Sequence, residues 1–264
     1  METVLQFKID NLKTKVLKDR KVLGKEAAID VAEKINNLLK TKDEIRIVFA
    51  AAPSQNEFLE ELTKQKIDWE RITAFHMDEY IGLWKDSPQL FSFYLRTNLF
   101  NKVKFKNVYY LNSVNEDNKG ECERYAKLLN ENPIDIICLG IGENGHIAFN
   151  DPPVADFNDT ETVKIVELDL PCREQQVNDG CFSTIEDVPK YALTLTIPAL
   201  LSADYLSVVV PGERKANAVY KTLFDEISTK CPATILRNHK NVVLYLEQES
   251  FALVKAKIKN QNDN

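Results

Sequence analysis

His146 follows directly on Gly145, and Asp151 comes five residues later, in the run Cys138-Leu139-Gly140-Ile141-Gly142-Glu143-Asn144-Gly145-His146-Ile147-Ala148-Phe149-Asn150-Asp151-Pro152. Imidazole is the side chain whose ordinary pKa lies in the physiological range, and a nearby carboxylate would orient it, so the pair suits proton transfer. Gly140, Gly142 and Gly145 let the backbone turn sharply and bare amides that a substrate could use. Pro152 and Pro153 hold Asp151 in an extended segment from which it can fold back toward the ring. A lone Gly-x-Gly-x-x-Gly also marks dinucleotide turns and plain strand-to-helix turns, but a dinucleotide turn runs into a helix where this chain places His146. The pattern points to a catalytic loop.

Three further segments carry chemistry at the ends of apolar runs. Ile72-Thr73-Ala74-Phe75-His76 leads into Met77-Asp78-Glu79-Tyr80-Ile81-Gly82-Leu83, and one of the two carboxylates suits a general base if burial lifts its pKa toward neutrality. An acidic turn or a helix cap would use the same residues. Ile47 to Ser54 brings small residues up to a helix start, where free amides favour an anion, although close packing and an ordinary serine cap would look alike. Val208-Val209-Val210-Pro211-Gly212-Glu213-Arg214-Lys215 places Lys215 just inside a helix, either closing over a phosphate or simply solvated.

The elements that must position these residues alternate between strand and helix. Ala27 to Leu39 has helical spacing, Ile45 to Ala51 reads as a strand, and Ser54-Gln55-Asn56-Glu57 reads as a capping box for a helix to Lys64. Arg71 to His76 is a strand, Ser87-Pro88 opens a helix to Leu99, and Val108 to Leu111 is a strand. A helix at Glu121 to Asn130 and strands at Ile134 to Leu139, Tyr191 to Ile197 and Tyr205 to Val210 follow, with a short helical turn at Pro198 to Leu201. Arg214 to Phe224 is a helix, Val242 to Leu246 the last strand and Glu249 to Ile258 the terminal helix. The expected fold is α/β: one doubly wound, mostly parallel, Rossmann-like sheet with helices on both faces, the whole chain forming a single domain. In such a sheet all four chemical segments fall beyond the strands' carboxyl ends, on one side.

Composition narrows the partners. A chain of 264 residues with a net charge of −6 lacks the basic footprint of a nucleic-acid binder, while a small anion needs just local amides and one or two cations. The five cysteines, at 122, 138, 172, 181 and 231, are scattered without metal spacing and read as free thiols in a reducing compartment. Met1-Glu2-Thr3-Val4-Leu5 carries no basic segment followed by an apolar one, and no run approaches a membrane span, so the expected location is cytoplasmic with no membrane partner. The composition leaves room for a homo-oligomer.

Phe75-His76-Met77-Asp78-Glu79-Tyr80-Ile81-Gly82-Leu83, the Gly140 to Pro152 loop and Val188-Pro189-Lys190-Tyr191-Ala192-Leu193-Thr194 resemble the glucosamine-6-phosphate deaminase/isomerase family, in order and spacing, from about Glu44 to Leu246. Met-Asp-Glu-Tyr with Gly-His-Ile-Ala-Phe-Asn is specific to that group, whereas Gly-x-Gly-x-x-Gly-His is shared with 6-phosphogluconolactonases.

The resemblance implies that Asp78 moves a proton between C2 and C1 of a ring-opened amino sugar phosphate through an enol-type intermediate. It also implies that His146, supported by Asp151, assists ring opening. The resulting imine loses ammonia and leaves a ketose 6-phosphate, with no metal or cofactor. Lys215 and the Ala51-Ala52-Pro53-Ser54-Gln55 loop correspond to the family's phosphate site, where this chain lacks two adjacent glycines; Ser54 and the amides of Gln55 and Asn56 stand in for them. Asp151 is one methylene shorter than the family's usual glutamate, Asn144 replaces an acid found in some members, and Arg173 is the stand-in for a phosphate-binding arginine. Glucosamine 6-phosphate is the first expected substrate and galactosamine 6-phosphate the second. The alternatives are a 6-phosphogluconolactonase, in which His146 activates water, and a non-catalytic sugar-phosphate sensor. A sensor should carry a basic helix-turn-helix ahead of the domain, where this chain has one convincing helix.

Overall fold

The computed structural model describes residues 3–114 and 116–262; the Met1-Glu2 part of the N-terminal reading lies outside them. In chain order the elements are β1 (Thr3–Ile9), β2 (Leu12–Leu17), α1 (Arg20–Leu38), β3 (Ile45–Phe49), α2 (Asn56–Thr63), β4 (Ile72–His76), β5 (Asp78–Tyr80), α3 (Phe91–Leu95) and β6 (Asn107–Val108). Then come α4 (Asn118–Asn130), β7 (Ile136–Leu139), β8 (Val163–Glu167), α5 (Leu170–Asn178), β9 (Tyr191–Leu195) and α6 (Ile197–Leu201). β10 (Tyr205–Val210), α7 (Ala216–Phe224), β11 (Val242–Glu247) and α8 (Ala252–Asn262) complete the order.

The main sheet has eight strands in the order β1-β2-β11-β10-β7-β3-β4-β6, parallel throughout except for β1, which pairs antiparallel with β2 at one edge. β3, β4 and β6 build outward one way, and β7, β10 and β11 the other, so the order reverses between β3 and β7. That is the point where an open α/β sheet leaves a crevice for ligands. Both faces are covered, which is why the central strands read as unbroken apolar runs. Ile45, Ile47 and Phe49 of β3 pack on the α1 and α2 side with Leu23, Val31 and Phe58. Val48, Leu139 and Val208 face the other layer with Tyr125 of α4 and Val219 of α7.

Several expected elements differ. Tyr191–Leu195 is a strand, yet it lies outside the main sheet: β5, β9 and β8 form a separate three-stranded antiparallel sheet. The N-terminal hairpin of β1 and β2 was not anticipated. The Ser54-to-Glu57 capping box does not form, because Pro53–Gln55 is a turn of 3-10 helix with no side-chain cap and Glu57 pairs instead with Arg20 at 2.7 Å. The helix expected from Ser87 begins at Phe91, after a positive φ of 66° at Asp86, and its last turn widens into a π-type turn over Arg96–Phe100. The strand expected over Val108 to Leu111 is confined to Asn107–Val108.

Candidate active site

The loops after β10, β7, β3 and β4 come from four neighbouring strands, so the segments carrying Lys215, His146, Ser54 and Asp78 stand side by side. They meet at one cleft lined by Ser54, Gln55, Asp78, Gly142, His146 and Lys215, among others. Lys215 and Asp78 rise from strands three spacings apart, roughly 14 Å at their roots.

Asp78 and Glu79, adjacent on β5, point to opposite sides of the strand and divide the two possible roles. Glu79 is the cap: Oε1 accepts from the backbone N–H of Tyr80 (3.1 Å) and Phe91 (2.9 Å), and Oε2 from Ser92 (2.9 Å), closing the start of α3. Burial nevertheless pushes Glu79 up to about 7. Asp78 lines the cleft, is 7% exposed, and its carboxylate receives no hydrogen bond from the described residues. Burial, with the neighbouring Glu79 charge, raises its carboxyl well above the usual range, as a base working near neutrality requires.

His76, one turn of the chain earlier, is structural. Its Nε2 accepts from the Leu111 N–H at 2.9 Å, which leaves Nδ1 to donate to the Asp78 carbonyl at 2.9 Å. Burial lowers its pKa to about 4 and keeps the ring neutral.

His146 is held from behind. Asn144 Nδ2 donates to Asp151 at 3.0 Å and to both Asp169 oxygens at 3.3 Å, while Asn144 Oδ1 accepts the His146 backbone N–H at 3.0 Å. These contacts orient the amide so that its oxygen faces the ring. Nδ1 then lies 2.8 Å from Asn144 Oδ1 and 2.9 Å from Asp151 Oδ1, two acceptors, so Nδ1 carries the proton. Nε2 makes no hydrogen bond among the described residues and is the nitrogen available to a ligand. Burial alone would raise the fully buried Asp151; the charge and hydrogen bond of His146, with Asn144, outweigh it and hold the carboxyl below its usual value. Asp169, which the sequence reading missed, is raised by burial and by Asp151, and it also caps α5 through the Cys172 N–H at 2.9 Å.

The glycines serve the histidine more than the substrate. A Cβ on Gly142 would lie 2.1–2.3 Å from ring atoms of His146, so only glycine lets the imidazole pack there. The Gly142 and Gly145 amides donate to the His146 and Gly142 carbonyls at 2.9 and 3.0 Å and are not free for a ligand. Gly145, at φ +90°, sits against Cys231 and does not line the cleft. β9 brackets the arrangement: Thr194 pairs with Asp78, and its hydroxyl accepts the Phe149 N–H at 3.0 Å, while Asn150 donates to the Leu195 carbonyl at 2.9 Å.

At the other end, Lys215 is 7% exposed and its ammonium has no hydrogen bond or ion pair among the described residues. Burial lowers its pKa. The Gln55 and Asn56 amides, expected to meet phosphate, donate instead to Ala52 (2.9 Å) and to Pro53 within the 3-10 turn. Gln55 Nε2 donates to Ser54 Oγ (3.1 Å) and to the Val209 carbonyl (3.2 Å). Arg173 stands outside the cleft: its guanidinium donates to the carbonyls of Ile185 (2.6 Å) and Val188 (2.9 Å). The α5 side chains that do reach the cleft are Gln175 and Gln176. They share a face with Cys172 at i, i+3 and i+4, a spacing that reading α5 as a helix capped by Asp169 would have exposed.

A family model for glucosamine-6-phosphate isomerases/6-phosphogluconolactonase matches residues 18–245, most of the chain. The chain belongs to this family. Within it, a glucosamine-6-phosphate deaminase from Bacillus cereus (strain B4264) is 35% identical over 219 residues, 83% of this chain and 82% of that protein. A relative of the same name from Bacillus thuringiensis (strain Al Hakam) matches at the same identity and coverage. Among solved structures, a monomeric glucosamine-6-phosphate deaminase superposes with a TM-score of 0.84 at 29% identity, covering 91% of this chain and 99% of that one. A 6-phosphogluconolactonase from Thermotoga maritima shares the fold, with a TM-score of 0.73 at 24% identity over 89% of this chain and 99% of that one. Among the described residues, no helix is long and apolar enough to cross a membrane.

Proposed function

We propose that this chain is an amino-sugar-6-phosphate deaminase/isomerase acting on glucosamine 6-phosphate or galactosamine 6-phosphate. The observation that carries the reading is the pairing, over one cleft, of an unbonded buried carboxylate at Asp78 with an unbonded imidazole nitrogen at His146. Ring opening needs the proton of the anomeric hydroxyl removed and one delivered to the ring oxygen. Nε2 of His146 is placed for that relay, with the imidazolium stabilised through Nδ1 by Asp151 and Asn144. Asp78 then takes the C2 proton of the open chain and returns it to C1, leaving an imine at C2. Water adds to that carbon, ammonia leaves, and the ketose 6-phosphate remains. One carboxylate serves both halves of the transfer because its raised pKa lets it hold the proton between them.

A lactonase needs a base for water but no second base facing C2, and Asp78 would have no work in it. Assaying ammonia release from a panel of hexosamine 6-phosphates beside hydrolysis of 6-phosphogluconolactone separates the readings. Ammonia without lactone hydrolysis is expected; lactone hydrolysis alone would establish the alternative, and inactivity on all of them would favour a sensor.

A further inference from the structure

The ring of His146 is supported by a neutral amide at Asn144, which replaces an acid found in some members of the family. A carboxylate is still present one layer back, on Asp169, whose two oxygens each lie 3.3 Å from Asn144 Nδ2. Both N–H bonds of the amide are thereby taken, one by Asp151 at 3.0 Å and one shared between the Asp169 oxygens. Its oxygen is left to the His146 backbone N–H at 3.0 Å and to Nδ1 at 2.8 Å.

Asp169 is the N-cap of α5, and Oδ1 alone makes that cap by accepting the Cys172 N–H at 2.9 Å. Oδ2 takes no part in it and has Asn144 as its one hydrogen-bond partner among the described residues. The Asp169 backbone N–H also reaches Asp151 Oδ2 at 3.4 Å, so the first turn of α5 touches both groups that hold the ring. A cap needs an acceptor oxygen and no charge, since serine and asparagine serve as well as aspartate. The charge of this partly buried carboxylate falls instead on the Asn144 amide.

We propose that Asp169 is a positioning residue for ring opening, acting on His146 through Asn144. Its negative charge polarises the amide, so that Oδ1 accepts more strongly than an isolated amide oxygen would. Oδ1 in turn holds the proton on Nδ1, keeps Nε2 free to accept, and stabilises the imidazolium once Nε2 has taken the proton of the anomeric hydroxyl. That proton then passes from Nε2 to the ring oxygen, and neither Asn144 nor Asp169 gains or loses one. This role rests on the deaminase reading and adds to it a carboxylate that acts at one remove from the sugar.

Asp169→Asn is the test, because it keeps a good cap and removes the charge. Should that variant lack a native melting transition, Asp169→Ser, also a cap without charge, takes its place. Ammonia release from glucosamine 6-phosphate and from an open-chain analogue is compared for the wild type, Asp169→Asn, Asn144→Ala and the double variant. On the closed ring kcat is expected to fall by about tenfold, the size of a charge interaction at this remove, with KM and melting temperature unchanged. Turnover of the open-chain analogue stays within about twofold of wild type. In the Asn144→Ala background the same substitution has no further effect. The full loss in that background, an equal loss on the open-chain analogue, or an undiminished kcat in a variant that melts normally overturns the role. The Nδ1–H proton resonance of His146, assigned by its absence from His146→Gln, reads the same contact without substrate. It moves upfield in Asp169→Asn as the acceptor weakens, and an unmoved resonance overturns the role. If the wild type releases no ammonia from any hexosamine 6-phosphate, the deaminase reading has failed, and the resonance still decides whether Asp169 acts on the ring.

Discussion

The rear wall of the cleft and its open side are built on opposite rules. Behind His146, the ring Nδ1, the Asn144 amide and the buried Asp151 carboxylate are bonded to one another, and the Gly142 and Gly145 amides to carbonyls of the same loop. On the open side the Asp78 carboxylate, the Lys215 ammonium and the Gln176 amide are each at least nine-tenths buried and bonded to nothing described. All three side chains line the cleft, where a ligand can replace the solvent that meets them. The rear therefore stabilises the fold and fixes a ring, whereas the open side is completed by a ligand. Substitutions on the open side should cost activity without stability, and those behind the ring should cost both.

The largest effect expected is for Asp78→Asn, a loss of about 10³-fold in ammonia release, accompanied by a gain in stability. Because the folded-state pKa is raised, the contribution of this group is present below its unfolded value and lost as pH rises through the raised one. At pH 7.5 a neutral amide avoids that loss, and the melting temperature should rise by about 2–4 °C per kcal/mol recovered. In the wild type kcat/KM should climb with pH through the same raised value. A variant that melts lower and still turns over would break the contrast between the two sides. His146→Gln should lose about 10²-fold on the closed-ring sugar and much less on an open-chain analogue; equal losses on the two would assign the ring to binding and not to ring opening.

Asp151→Asn tests the rear wall. A loss of about tenfold in kcat is expected from a poorly supported ring, together with a lower urea midpoint at neutral pH. The folded-state pKa of Asp151 is lowered, so its stabilisation is present above the unfolded value and disappears as acid carries the pH through the lowered one. Urea midpoints followed from neutral to acid pH should therefore converge for wild type and variant. A constant gap across that range would mean the charge of Asp151 is not what the wall uses.

The parallel sheet was legible because strands covered on both faces become unbroken apolar runs, as in Ile136–Leu139 and Tyr205–Val210. The antiparallel sheet was not. β5 is three residues long and is a strand only through its pairing with β9, while in β8 Lys164 and Glu167 interrupt Val163, Ile165 and Val166, so that no unbroken apolar run marks it. Asp78 and His146 could be found from strand ends and glycine spacing, because those signals are local. The separation of Asp78 from Glu79 could not, since it depends on the N–H groups of Phe91 and Ser92 arriving from twelve and thirteen residues away. The Gly142 and Gly145 amides were not legible for a different reason: whether a loop amide turns to a carbonyl of its own loop or to open space is set by the folded turn and not by the residue types.

The smallest effect on activity is expected for Arg173→Ala, and it sharpens the comparison most directly because the family resemblance offered this residue as a stand-in for a phosphate-binding arginine. Cys172, Gln175 and Gln176 define the inward face of α5, and Arg173, about 100° round the helix from Cys172, is carried off that face to the carbonyls of Ile185 and Val188. Truncation leaves those carbonyls without their charged donor and should lower stability by about 1–2 kcal/mol. The cleft is untouched, so KM for a hexosamine 6-phosphate and kcat should both stay within about twofold of wild type, an effect worth less than 0.5 kcal/mol. A KM raised tenfold with an unchanged melting temperature would return Arg173 to the anion end of the cleft and dissolve the division between its bonded and open sides.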